Sequence, residues 1–198
     1  MEIFHIPGPA PLFTNTFLVT DGEIAVAVDP AAAPEAYLAQ LEQRGLKLTH
    51  ILLTHGHHDH VGAAQALRQA TGAKVFLARE DALGGRLFPF TAPDEDLADG
   101  QTLESGALRF RVYRTPGHSQ GSVCFLCGDV LFSGDTLFAG DIGRTDLAGG
   151  SMADMQRSLE KLCRAIHEDV QVLPGHEEFS TLAAERRGNP YLAPYAQL

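Results

Sequence analysis

Residues 48–62 read LTHILLTHGHHDHVG, an aliphatic run that leads into four histidines and one aspartate within six positions. The run 48–54 has the composition of a strand covered on both faces of a sheet. A helical pattern starts near residue 61, so the cluster occupies a tight strand-to-helix turn. Along extended chain, residues 55, 57 and 59 project to one side and residues 56 and 58 to the other. Asp59 and His60 lie where the chain turns into the helix, which lets both face the same side. His58 faces away and reads as a bystander.

The same arrangement recurs further along. His118 lies in TPGH, Asp135 in FSGD and His176 in LPGH, each after a β-rich run and a glycine-containing turn. Glycine there lets the backbone approach closely. A solvated, histidine-rich turn would explain the first cluster alone, but it does not explain partners at three other strand ends. His55, His57, Asp59, His60, His118, Asp135 and His176 are therefore seven candidate metal ligands, more than the four of a closed zinc site. They suit two divalent ions with three terminal ligands each and a shared carboxylate. Imidazole and carboxylate without thiolate suit zinc, and also iron or manganese.

The rest of the chain supports one domain over 1–198, made of two similar αβ halves at about 1–100 and 101–198. Its length allows one substantial core, and no Ser/Gly-rich linker divides it. FTNTFLVT and EIAVAVD flank Asp21-Gly22, a hairpin signal. A helix follows with Pro34 in its first turn and Gly45 as its stop. The next expected elements are the 48–54 strand, a helix over about 61–70 and the short strand KVFLA. Residues 79–100 read as a long irregular connection. Its Phe88, Pro89 and Phe90 fit a satellite core or an apolar wall over a substrate. LRFRVYR, VCFLC and DVLFSGD are strands, a helix starts at Ser151, and VQVLPGH is a last strand and loop. Strands and helices alternating in both halves indicate a mixed α/β fold with helices covering sheets.

A formal charge of −10 with no local Lys/Arg cluster speaks against nucleic-acid binding. MEIFHIPG carries neither a signal peptide nor a membrane span, so the expected compartment is the cytoplasm, with no membrane partner. Three cysteines suit a reducing interior. Cys124 and Cys127 have C-x-x-C spacing but fall in a strand, where positions three apart face opposite ways, and read as ordinary thiols. His5, His50 and His167 read as packing or surface residues. Arg186, Arg187 and Tyr191 either line a pocket or cap the domain.

H-x-H-x-D-H followed by TPGH, GD and PGH, with NTFLV and AVAVDP near the start, resembles the signature of the metallo-β-lactamase superfamily over nearly the whole chain. The resemblance implies a four-layer αββα sandwich, two mixed β-sheets flanked by helices, with metals at one edge. It also implies His55, His57 and His118 on one ion, Asp59, His60 and His176 on the other, and Asp135 bridging. Asp135 in place of a thiolate is unlike the zinc β-lactamases. TLFAGDIGRTD and PGHEEFSTLAAERRGNPYL resemble the glyoxalase II (hydroxyacylglutathione hydrolase) branch, in its short bacterial form. The implied activity is hydrolysis of a small thioester such as S-lactoylglutathione by a metal-bridging hydroxide, with Asp59 and Asp135 as the carboxylates beside it.

Where that branch has a Lys-x-Tyr pair contacting glutathione, this chain has Arg144-Thr145-Asp146. Arg144 can pair bidentately with a substrate carboxylate; Arg144 and Asp146 are thus substrate-binding candidates, with a local salt bridge as the alternative. The branch's C-terminal helical region that helps hold glutathione has no counterpart in the residues after His176. The same ligands would serve an iron-dependent persulfide dioxygenase, a lactonase or another ester hydrolase, and a metal-binding module without turnover is a further alternative.

Overall fold

The computed structural model describes all residues, 1–198. Strands β1 (Glu2–Pro7), β2 (Asn15–Thr20), β3 (Ile24–Val28), β4 (Lys47–Leu52) and β5 (Lys74–Phe76) form one sheet in that spatial order. The first three run antiparallel, and β4 and β5 join in parallel. The β2–β3 hairpin closes as expected, with Asp21 Oδ1 accepting the Glu23 and Ile24 N–H groups at 3.1 Å each. Strands β6 (Thr102–Ser105), β7 (Leu108–Arg114), β8 (Val123–Cys127), β9 (Val130–Gly134), β10 (Gln171–Pro174) and β11 (Ser180–Thr181) form the second sheet, ordered β11-β10-β9-β8-β7-β6. Within it β9 and β10 are parallel and every other pair is antiparallel.

Helices α1 (Pro34–Arg44), α2 (Ala64–Thr71), α3 (Met152–Ala165) and α4 (Leu182–Gly188) cover the outer faces. Helix α1 ends at Gly45 and α2 at Gly72, both left-handed with φ of 64° and 74°, the conformation glycine adopts at least cost. The side chain of Ser151 caps α3 by accepting the Asp154 N–H. No helix is long and apolar enough to cross a membrane.

Three apolar clusters mark the interfaces of four layers. Phe17, Val26, Val28, Leu52, Phe110, Val112, Phe125 and Phe132 pack between the two sheets. Leu18, Ala27, Ile51 and Val75 pack outward against Tyr37 and Leu41 of α1 and Leu67 of α2. Leu131 and Val172 pack against Met155, Leu159 and Leu162 of α3 and Leu182 of α4. Neighbours such as Phe17 and Leu18 serve opposite interfaces because strand side chains alternate, and both sheet faces are covered. This is the expected αββα sandwich. Cys127 lies in the inter-sheet cluster and Cys124 in the outer one, so the C-x-x-C thiols face apart, and all three cysteines are free.

The details depart from sequence expectation where pairing, rather than local pattern, decides structure. Strands β1, β6 and β11 and helix α4 are additional elements. Helix α2 starts at Ala64 because residues 57–63 form turns tied elsewhere: His60 N–H donates to His57 O, and Ala63 N–H to Pro30 O. Met152, the first residue of α3, is exposed. Phe90 from the 79–100 connection joins the α1/α2 cluster.

The parallel strands place their C-terminal ends along one edge, where ligand-bearing loops of an α/β sheet gather. The sheets are stitched there by a 2.8 Å bond from Val123 N–H to Thr54 O. At the end of β9, Gly134 (φ 49°) lies so near Thr54 that an added Cβ would sit 2.3 Å from Oγ1. Glycine is required at this junction.

Candidate metal centre

All seven residues singled out in the sequence meet at this edge. Two sets of three carry potential ligand atoms within 4.8 Å of one another: His55, His57 and His118, and Asp59, His60 and His176. Asp135 lies between them, its Oδ2 3.4 Å from His118 Nε2 and its Oδ1 3.4 Å from His60 Nε2. His57 Nδ1 and His118 Nε2 are 2.8 Å apart. His60 Nε2 and His176 Nε2 are 3.3 Å apart, and Asp59 Oδ2 lies 3.3 Å from the latter. His58, the expected bystander, turns outward with 55% of its side chain exposed.

The cluster holds buried polar atoms that no other group of the protein satisfies. His55 Nε2, His57 Nε2 and Asp135 Oδ1 are buried without a hydrogen-bond partner. Each such atom costs about 1–3 kcal/mol if left unmatched, and concentrating them at one place fits a cation far better than a core. Burial, with the neighbouring His60 and His118, holds the His55 imidazole well below its ordinary value. Burial and then His118 push His57 down to about 4. Both rings are therefore neutral, the form that ligates metal.

The second set is tuned the other way. Burial opposes charge on His60, but Asp135, Asp29 and Asp59 outweigh it and raise the ring to about 9. Burial likewise opposes charge on His176, and its hydrogen bond to Asp59 with the charge of Asp135 raises it. Burial works against ionising Asp59, yet the His176 hydrogen bond and the His60 charge hold it below the usual carboxylate range. A place that gathers positive charge beside carboxylates in this way suits a divalent ion, whose binding displaces protons.

Residues outside the cluster fix the rings. His118 Nδ1 donates to Arg144 O at 2.8 Å, and His176 Nδ1 to Leu12 O at 3.1 Å. Asp29, at the end of β3 with φ 47°, accepts from Thr54 N–H (2.7 Å), Thr54 Oγ1–H (2.6 Å) and His60 Nδ1–H (3.0 Å). Asp29, His55 and His60 also form a group close enough for metal. However, both Asp29 oxygens are already engaged, so its role is to orient. Such partners set the tautomer of a ligating histidine.

A cleft of about 380 Å³ opens over the cluster, walled by Leu12, Leu87, Phe138 and Leu147, with His58 and Arg144 also lining it. The Arg144 guanidinium binds Asp146 through Nε (2.7 Å) and Nη2 (2.8 Å), and both side chains are exposed. The local salt bridge is thus present and Arg144 still lines the cleft; Asp146 does not. Phe88 lies against His57, its ring inclined by 43° with centroids 4.6 Å apart, and so backs a cluster imidazole instead of walling the cleft. Arg186 caps α3 by donating to the Cys163 and Ile166 carbonyls. His50 stacks on Phe76, and His5 bonds Asn15 at 2.9 Å.

Sequence reasoning missed Asp29 as a ring-orienting group, and it missed the leucines of the cleft. An aspartate at a strand end before Pro30 was the one available signal for Asp29.

An αββα sandwich with one triad of three imidazoles, a second of two imidazoles and a carboxylate, and an aspartate between them at its sheet edge defines a metal-binding hydrolase architecture. The chain belongs to the metallo-beta-lactamase superfamily, whose family model matches residues 9–176. An uncharacterized protein of Mycobacterium leprae is 37% identical, covering 90% of this chain and 93% of that protein. Hydroxyacylglutathione hydrolase GloC of Haemophilus influenzae is 32% identical, covering 97% and 98%. Among solved structures, BLEG-1 B3 metallo-beta-lactamase superposes with a TM-score of 0.86 at 35% identity, covering 96% of this chain and 99% of that one. TTHA1623 in a di-iron-bound form gives 0.81 at 37% identity, covering 96% and 100%.

Proposed function

We propose that this chain is a dinuclear metal-dependent hydrolase of small thioesters, of the S-lactoylglutathione type. The observation that carries the reading is Asp135, lying 3.4 Å from an imidazole of each triad beneath an open cleft. His55, His57 and His118 would hold one divalent ion, Asp59, His60 and His176 the other, and Asp135 both. Zinc suits these donors, as do iron and manganese. Two such ions supply Lewis acidity to a carbonyl and a lowered pKa to water.

The chain's own groups do the rest. Asp59 lines the cleft and, as a carboxylate, accepts a hydrogen bond from an attacking water. Arg144 faces an anionic arm of the substrate from the rim, and Leu12, Leu87, Phe138 and Leu147 exclude water around the acyl and thiol portions. The near full-length similarity to a hydroxyacylglutathione hydrolase supports the thioester choice. Buried free thiols suit a reducing, cytoplasmic compartment, and the net charge of −10 suits a small-molecule partner over a nucleic acid.

The test is turnover of S-lactoylglutathione after reconstitution with zinc, iron or manganese separately. Release of one hydroxy acid and one thiol per thioester is the expected result. Brisk oxygen uptake with glutathione persulfide would replace the reading with a dioxygenase, and much faster opening of an acyl-homoserine lactone would make the chain a lactonase.

A further inference from the structure

Asp81 closes a short 3₁₀ turn, Arg79–Asp81, just after β5, and it is 1% exposed. Its Oδ2 accepts Gly56 N–H at 2.9 Å and Ser119 Oγ–H at 2.6 Å, and its Oδ1 accepts Gly121 N–H at 2.8 Å. Gly56 stands between His55 and His57, and Ser119 follows His118. One buried carboxylate thus joins the two loops that carry the three imidazoles of the first triad. It makes none of these bonds to the second triad, whose rings rest on Asp29 and Leu12.

The packing shows that the contact is built in. A Cβ on Gly56 would lie 2.5 Å from Asp81 O, and one on Gly121 would lie 2.6 Å from Asp81 Cγ. Both glycines are needed because the aspartate sits against their backbones. Ser122 completes the knot, its Oγ 2.7 Å from Ser119 Oγ.

We propose that Asp81 is a positioning residue for the first metal site alone: it sets the spacing of His55, His57 and His118 without touching metal or substrate. This rests on the two-ion reading above. A neutral amide in its place cannot accept from all three donors, since one of its two polar atoms is itself a donor. Asp81→Asn therefore lets the loops drift apart.

The experiment isolates each site. His176→Ala retains the first triad and His55→Ala the second; Asp81→Asn is placed in each background, and Co(II) affinity is followed by its absorption bands. Asp81→Asn should weaken Co(II) binding in the His176→Ala background by roughly 10- to 100-fold, the range for partners that orient ligands. It should leave affinity in the His55→Ala background within about twofold, the tolerance expected of independent sites. Equal weakening in both backgrounds, or none in either, would overturn the inference. Ser119→Ala in the same backgrounds repeats the test with a milder change should Asp81→Asn fail to fold, and is held to the same two outcomes. Wild-type chain that binds no second equivalent would instead sink the two-ion reading itself.

Discussion

Asp29 Oδ2 lies 3.0 Å from His60 Nδ1, with the imidazole fully buried. The bond fixes the proton on Nδ1 and leaves Nε2 facing Asp135, Asp59 and His176. The same carboxylate accepts from the backbone and hydroxyl of Thr54, the residue that stitches the sheets together at Val123. One side chain thereby couples the fold's edge to the orientation of a candidate ligand.

Asp29→Asn should therefore cost both stability and metal. An amide cannot accept from all three donors, and leaving a buried donor unmatched costs about 1–3 kcal/mol. Urea unfolding of the metal-free protein should show a loss of that size. Metal titration should show the second equivalent weakened more than the first. Unchanged unfolding would mean that the Asp29 bonds contribute little.

His58 and Asp135 make a sharper pair. His58 points to solvent, whereas Asp135 is 9% exposed and reaches both triads. His58→Ala should leave metal content nearly unchanged, and Asp135→Ala should empty or disorder both sites. Elemental analysis after dialysis decides it, and equal losses in the two variants would refute the assignment of facing.

Arg144 lines the cleft while held by Asp146, both on the exposed rim. A rim guanidinium that pairs with a substrate carboxylate adds uniform binding, which shows in KM rather than kcat. Arg144→Ala should raise KM for S-lactoylglutathione several-fold at nearly constant kcat. An uncharged thioester should show no such change. A fall in kcat with constant KM would assign Arg144 to the chemical step instead.

Much of this centre was legible in the sequence because metal chemistry demands residue types that strands and turns otherwise rarely repeat. His55, His118, Asp135 and His176 each follow a β-rich run, so local pattern alone brought them to strand ends. The hairpin at Asp21-Gly22 and the stop at Gly45 were legible for the same reason: local backbone geometry dictates the residue. Asp81 left no trace because its partners are main-chain N–H groups and a serine from segments 25 to 40 positions away. Strands β6 and β11 exist only through pairing with β7 and β10, and strands this short carry no period to read. Edge strand β1 pairs with β2 from Glu2 to Pro7, yet its alternation is too weak to stand out beside the apolar run that follows.

The cysteines offer a test that does not depend on metal. Burial pushes the Cys124 thiol from an ordinary 9.0 up to about 11, against weaker help to the thiolate from Thr115 and Thr136. Burial also raises Cys127 and Cys163. The thiolate is the reactive form, so alkylation of the native chain at pH 8 should be far slower than that of a free thiol. Three equivalents should react once the chain is unfolded. The sign for stability follows from the same shift: the fold favours the protonated thiol. That contribution is whole below the unfolded pKa near 9 and disappears as pH climbs towards 11. Urea midpoints should therefore fall over this interval, and less so in Cys124→Ala once its lower baseline is subtracted. Rapid labelling of two thiols in the native chain, or zinc released on titrating them, would revive the C-x-x-C pair as a functional site.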